Sequence, residues 1–228
     1  MTNVLGVACP ETVQSPTART CVVGASPSEK ESPMTLSLLS WRRAVSELYA
    51  AVRATPDAEA GWNRWRAVRD QLFADHPDSP VQRSHFRGLR YRPYDPTLRF
   101  AVRVQGTEPA RMEVSTTTDG IVPFTRDGKV ELPGLGTLDV WWLESYGGGI
   151  FLPLRDATCG ETSYGGGRYL LDTVKGADLG EEEGRLIVDL NFLYNPSCAY
   201  DARWTCPLPP PGNVLTASIE AGELWTQD

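Results

Sequence analysis

Leu98-Arg99-Phe100-Ala101-Val102-Arg103-Val104-Gln105 is the stretch whose reading decides the fold class. Phe100, Val102 and Val104 alternate with Arg99, Arg103 and Gln105. Side chains that alternate in this way point to opposite faces, the pattern of a strand with one face against a core. Working toward the C-terminus, the same period continues in short runs. Strands are expected at 111–117, 120–126, 129–132, 137–144, 149–155, 167–173, 185–192 and 215–220. Asp127-Gly128 reads as a hairpin turn, because that dipeptide tolerates the left-handed backbone that tight turns need. Short strands about ten residues apart, with no long helix between them, predict a mainly β fold, an antiparallel β-sandwich or barrel.

Toward the N-terminus the period changes. Leu36, Leu39, Val45, Leu48, Ala51 and Val52 recur at three- and four-residue spacing, which predicts a helix over 35–54 stopped by Thr55-Pro56. Asp57 then caps a second helix to about Asp75, with Trp62, Trp65, Val68 and Leu72 along one stripe. His76-Pro77 ends it, and a histidine there suits the helix dipole. Residues 1–34 are rich in Ser, Thr, Pro, Glu and Val without period and read as a disordered tail. Met34 is an alternative translation start. The organisation expected is therefore a tail and one domain over 35–228, with a helical element at 35–75 and a β core at 98–223.

The net charge is −7, unevenly spread. Residues 35–111 carry 13 Lys and Arg against 8 Asp and Glu, whereas 112–228 carry 7 against 18. The arginines of the basic half fall at helix-surface spacing and no aromatic–basic strand motif accompanies them, which argues against nucleic acid as a partner. No run of about 18 apolar residues exists, so no membrane-spanning helix is expected. The segment before Cys9 makes a poor secretion or lipoprotein signal. Of Cys9, Cys21, Cys159, Cys198 and Cys206, no two stand in a CxxC pair. A cytoplasmic protein with free thiols, no metal and no cofactor is the resulting expectation. Cys198 and Cys206 leave several readings open: a small disulfide loop, half of a soft-metal site, buried thiols, or a nucleophile lacking a nearby histidine.

Two segments do not fit a simple strand-and-turn pattern: Arg155–Tyr169, and Asp189–Tyr200 followed by Cys206–Asn213. Long loops in a compact domain are usually functional or disordered, and these carry too many aromatics for disorder. Arg155-Asp156-Ala157-Thr158, Thr162–Tyr169 (TSYGGGRY), Asp189-Leu190-Asn191, Tyr194–Tyr200 (YNPSCAY), Cys206–Pro210 (CPLPP), Asn213 and Ala221-Gly222-Glu223 together resemble the bacterial and archaeal family known as domain of unknown function 1684. His76–Pro80 and Phe86–Leu89 resemble it too, so the likeness spans Trp62 to Glu223. The resemblance implies no particular activity. The chain departs from the family pattern at Cys159, where Ser is usual, and at Gly212, where Glu is usual.

Sidedness suggests what these residues do. In a strand over 185–192, Asp189 and Asn191 share a face; in one over 167–173, Arg168 and Asp172 share a face. If the two strands pair, Arg168 reaches Asp189. One reading is a pocket for a polar or anionic small molecule, handled by acid–base chemistry. Asp189, Asp156 and Tyr194 are then the catalytic candidates. Arg168, Asn191, Tyr164, Asn195 and Arg155 are the ligand-binding candidates, with Arg168 clamping a carboxylate or phosphate. The alternatives are a non-catalytic ligand-binding β domain, a buried ion-pair network that only shapes the loops, and an interaction domain presenting Trp141 or Trp204. Tyr164-Gly165-Gly166-Gly167 matches neither phosphate-loop nor dinucleotide spacing and fits a bulge or a tight start to a strand. Pro207 and Pro209–Pro211 enforce an extended arm, expected to cover a sheet edge. Oligomeric state is not legible.

Overall fold

The computed structural model describes residues 34–84, 86–116 and 120–225. The tail expected before Met34, with Cys9 and Cys21, lies outside the described residues, as does His85.

Helix α1 (Met34–Arg53) and helix α2 (Ala58–Asp75) form an antiparallel pair. The Asp57 carboxylate accepts the Ala60 N–H at 2.7 Å and so satisfies one orphan donor at the start of α2. His76 closes the same helix, its N–H donating to the Leu72 carbonyl while its ring meets Trp41 edge-on. Leu48, Tyr49, Trp62, Trp65 and Phe73 are buried, so the stripes read from the sequence are the packed faces. The first turns of α1 differ: Leu36 and Leu39 are exposed.

Strands β1 (Arg99–Val102), β2 (Arg111–Ser115), β3 (Ile121–Leu132), β4 (Gly136–Leu143), β5 (Gly149–Leu154), β6 (Arg168–Asp172), β7 (Glu181–Glu182) and β8 (Arg185–Asp189) build two antiparallel sheets. One is a five-stranded meander, β2-β3-β4-β5-β6; the other is three-stranded, β1-β8-β7. Neither closes into a barrel. Buried Val130, Leu132, Leu138, Val140, Leu152, Leu154 and Leu170 of the larger sheet meet Ile187 and Val188 of the smaller one and Leu48, Trp62 and Trp65 of the helices in one core. The fold is mainly β and sandwich-like, with the helical hairpin packed into the same core. A second aromatic cluster, Phe124, Trp141, Phe151 and Tyr169, fills the other side of the meander.

Three strand expectations are corrected. Asp127-Gly128 is no turn: β3 runs straight through it as a 12-residue strand with a bulge between Arg126 and Gly128. The chain at Gln105 bridges Lys129 there, and a Cβ on Gly128 would sit 2.5 Å from the Gln105 carbonyl oxygen. Glycine is needed for close approach, not for a reversal. The reversal falls at Pro133-Gly134-Leu135, where Gly134 has φ 78°. Residues 215–220 form no strand; the neighbouring Val214 bridges Arg155 in isolation. The strand at 185 stops at Asp189, whose carboxylate accepts the Asn191 N–H and caps a single 3-10 turn, Leu190–Phe192. The shared face expected for Asp189 and Asn191 is therefore replaced by a side-chain contact around that turn.

Candidate functional site

The expected pairing of Arg168 with Asp189 does not form, because β6 and β8 belong to different sheets. The candidate residues resolve instead into four groups.

Arg168 is 1% exposed. Its guanidinium reaches Asp156 at 2.7 Å and the carbonyls of Ala221 at 2.6 Å and of Ile219 and Glu223 at 3.3 Å. The other Asp156 oxygen accepts the Thr158 N–H at 2.8 Å, the Thr158 hydroxyl at 2.6 Å and the Ile219 N–H at 3.3 Å. Both terminal nitrogens of Arg168 and both Asp156 oxygens are thus enclosed and occupied, with Nε buried and unpartnered, so the expected clamp on an anionic ligand is replaced by an internal one. Gly167, just before it, has φ 90°, and a Cβ there would meet the Leu154 carbonyl at 2.8 Å and Pro209 at 2.7 Å. That close packing accounts for the glycine at the start of β6. Arg155 is exposed, and its backbone pairs with Asn213 and Leu215.

The second group sits between α2 and the chain end. Glu223, 1% exposed, accepts Arg69 at 2.8 Å, the Asn195 N–H at 3.0 Å and the Tyr200 hydroxyl. Arg69 also donates to the Tyr91 hydroxyl at 2.8 Å and lies over Trp65, Phe73 and Tyr194. Burial pushes the Arg69 pKa down, but the Glu223 carboxylate and the phenols of Tyr91, Tyr200 and Tyr49 more than offset it and hold it above its ordinary value. Burial also raises the Tyr194 phenol. Tyr194 serves here as a wall for a cation, and its backbone pairs with Tyr169. Asn195 ties the Leu224 carbonyl at 3.1 Å.

The third group borders open space. Asp189 accepts Asn191 through both its backbone N–H at 3.1 Å and its amide at 2.8 Å, and accepts the Tyr94 hydroxyl at 3.2 Å. Arg99 approaches at 3.9 Å. Burial raises the Asp189 carboxyl above its usual 3.8, and these donors only partly counter that. Asn191 exchanges two hydrogen bonds with the Asp95 backbone, both at 2.8 Å, and its carbonyl accepts the Trp62 indole N–H. Asp189 lines a cavity of about 230 Å³ between the helical hairpin and the smaller sheet, with Arg53, Gly61, Arg99, Glu182 and Phe192.

The fourth group holds Tyr164, whose hydroxyl faces the Cys198 carbonyl at 3.5 Å and its sulfur at 3.7 Å. The proline arm starts beside the edge strand β6, where the Tyr169 hydroxyl donates to the Pro207 carbonyl and Pro209 crowds Gly167. Asn213 at its end donates to the carbonyls of Asp139 in β4 and Pro153 in β5 and accepts the Trp141 indole N–H at 2.9 Å, which leaves Trp141 buried.

Arg69, Tyr94, Arg99 and Glu223 escaped the sequence reading. Arg69 falls four residues after Trp65 and four before Phe73, on the apolar stripe of α2, and a cation in such a stripe signals a buried partner. Among the described residues no cluster of three or more His, Cys, Asp or Glu is disposed to hold a metal, and no helix is long and apolar enough to cross a membrane.

The family model described as "Protein of unknown function (DUF1684)" matches residues 84–224, more than half of the chain. The chain belongs to this family. A solution NMR structure of an uncharacterized protein from Haloarcula marismortui is 32% identical, with a TM-score of 0.50, and the match covers 73% of this chain and 93% of that one. None of the curated proteins matches. All four side-chain groups have members within the DUF1684 match, while Arg69 and the helical hairpin that walls the Asp189 cavity precede it.

Proposed function

We propose that the chain binds a small polar molecule in the cavity beside Asp189, and that Asp189 accepts a proton from it. The observation that carries this is a carboxylate with a raised pKa at the wall of a cavity, next to a phenol and a guanidinium. Perturbed acids at a cavity wall are the usual makings of acid–base sites. Of the three catalytic candidates, Asp156 is enclosed with Arg168 and Tyr194 is stacked on Arg69, which leaves Asp189. The cavity is smaller than the ~300–1,000 Å³ of drug-sized sites, so a small metabolite is the fitting occupant.

Charge narrows the class. Arg53 and Arg99 face Glu181, Glu182 and Asp189 around the cavity. Arg53 is already bound to Asp178 and Arg99 to Glu182. A neutral polar or cationic molecule suits that balance better than an anion. A second reading, binding without turnover, is favoured by the 1% exposure of the Asp189 side chain.

The test is calorimetric binding of amines, polyols and carboxylates to the wild type and to Asp189→Asn, followed by turnover of whatever binds. Binding that survives in the variant with turnover lost supports the proton-transfer reading. Equal binding and no turnover in either supports the binding module. Ligands that bind equally well when Gly61→Leu fills the cavity would overturn both.

A further inference from the structure

Cys198 and Cys206 lie outside the Asp189 cavity, and the chain between them is built to bring them together. Cys198 sits in a single 3-10 turn, Ser197–Ala199. The loop then doubles back: the Asp201 N–H donates to Ser197, the Trp204 N–H to Asp201, and the Asp201 carboxylate accepts the Arg203 N–H at 2.9 Å. Each end is pinned separately. Tyr200 is fastened to buried Glu223 and packs edge-on against Phe73. On the other side the Tyr169 hydroxyl donates to the Pro207 carbonyl at 2.5 Å, and Cys206 packs against the Phe124–Trp141–Phe151–Tyr169 cluster. The loop sets the Cys206 thiol beside Cys198, close enough for each to shift the other, and the Tyr164 hydroxyl lies 3.7 Å from the Cys198 sulfur and 3.5 Å from the Cys198 carbonyl. Both cysteines are free and partly exposed.

We propose that Cys198 and Cys206 form a reversible peroxide-sensitive dithiol site, with Cys198 as the attacking sulfur, Cys206 as the resolving one and Tyr164 as the positioning donor. The Cys198 thiolate attacks one oxygen of a hydroperoxide. The O–O bond breaks, and the departing oxygen takes a proton and leaves as water or alcohol. Cys198 is then a sulfenic acid. The Cys206 sulfur gives up its proton and attacks the Cys198 sulfur; the S–O bond breaks and the hydroxyl leaves with that proton as water. Two thiols lose two electrons and two protons, and the peroxide gains them. A small external dithiol reverses the change by exchange and is itself oxidised.

The division of roles follows from asymmetry around the two sulfurs. The Cys206 thiol, the Tyr164 phenol at 3.7 Å and the backbone N–H groups of Cys198 and Cys206 all favour the Cys198 thiolate. The neighbouring Cys206 thiol first, and then the phenol and the N–H groups, lower the Cys198 thiol to about 6 against the opposing effect of burial. The neighbouring Cys198 sulfur, with burial, raises Cys206, which the Cys198 N–H first and then Lys175 only partly counter. Burial and the neighbouring sulfur push Tyr164 up to about 12, so it stays a donor at neutral pH. Tyr169 is raised as well, first by burial and then by the Cys206 charge. Cys159 has a different neighbour, the Ser163 hydroxyl at 3.7 Å.

The experiment treats the fully reduced chain with hydrogen peroxide, blocks remaining thiols and maps peptides by mass spectrometry. A peptide linking Cys198 to Cys206, two hydrogens lighter and restored by dithiothreitol, is expected in the wild type. Cys206→Ser should trap Cys198 as a sulfenic acid that dimedone labels, while Cys198→Ser leaves Cys206 unlabelled. The wild-type oxidation rate should rise with pH around a midpoint near about 6. Tyr164→Phe should shift that midpoint upward on the scale of one hydrogen bond, and slow the reaction about two- to tenfold at about pH 5 but no more than about twofold at neutral pH. Three results would each overturn the proposal: no linked peptide, dimedone labelling of Cys206 as fast as Cys198, or a rate midpoint at the ordinary thiol value of 9.0.

Discussion

Arg168→Met removes a guanidinium that is 1% exposed and replaces it with a side chain of similar length and no donor. Asp156 keeps the Thr158 N–H, the Thr158 hydroxyl and the Ile219 N–H on one oxygen, but its other oxygen loses the 2.7 Å donor. The carbonyls of Ile219, Ala221 and Glu223 lose a donor as well. Breaking one side of a buried pair costs about 3–5 kcal/mol, because the charge left behind is neither solvated nor matched. Against a total stability of ~5–15 kcal/mol for a domain, that is a large share. Guanidinium denaturation followed by fluorescence should show the midpoint falling by that amount at constant slope. The double variant Arg168→Met/Asp156→Asn should recover at least ~1 kcal/mol, since the amide carries no charge and can still accept from Thr158. A loss below about 1 kcal/mol in the single variant, or simple additivity in the double, would refute the account of this pair as the clasp of the C-terminal segment.

Asp189→Asn tests linkage. Its carboxyl is raised above 3.8 in the folded state, so the folded chain holds the proton longer than the unfolded chain. The contribution of Asp189 is therefore full at acid pH and is lost as pH rises through the folded value, and wild type should weaken relative to Asp189→Asn along that course. Thermal melts of both proteins against pH check this, and a gap that does not change with pH counts against it. Gly128→Ala should cost about 1–3 kcal/mol, because the new methyl meets the Gln105 backbone at 2.5 Å; the same substitution at Gly134 of the true turn meets no atom within 4 Å and strains only a φ of 78°. Glu223→Gln should cost about 3–5 kcal/mol by leaving Arg69 with no carboxylate, read from denaturant midpoints. Asp57→Ala should cost about 1 kcal/mol through the lost cap on α2.

Local rules found the local structure. The three- and four-residue recurrence gave both helices, and Asp57 and His76 stand at the ends of α2 where their chemistry suits them. Alternation gave the strands of the meander to within a few residues. Long-range approach is what the sequence concealed. Asp127-Gly128 looks like a turn to any local rule, and only the passage of Gln105 beside it makes it a bulge. The site divides along the same line. Asp156, Arg168, Asp189, Asn191 and Asn195 are all buried polar groups, as loops dense in such residues suggest. Their partners are set by sheet membership, which strand parity does not carry, so Arg168 met Asp156 instead of Asp189. Glu223 and Arg69 lie 154 residues apart, beyond the reach of any spacing rule.

That separation bears on how the protein is made. Arg168 holds three carbonyls between Ile219 and Glu223, and Arg69 on the second helix holds the Glu223 carboxylate. During synthesis the helices and most of the meander emerge while both guanidiniums still lack these partners. A growing chain therefore commits only when the stretch around residue 223 clears the ribosome, and pairings across so long a span form slowly. Until then the hairpin and sheet lack their last clasp, and a product missing those few residues leaves Arg69 without its carboxylate and Arg168 with Asp156 but without its three carbonyls.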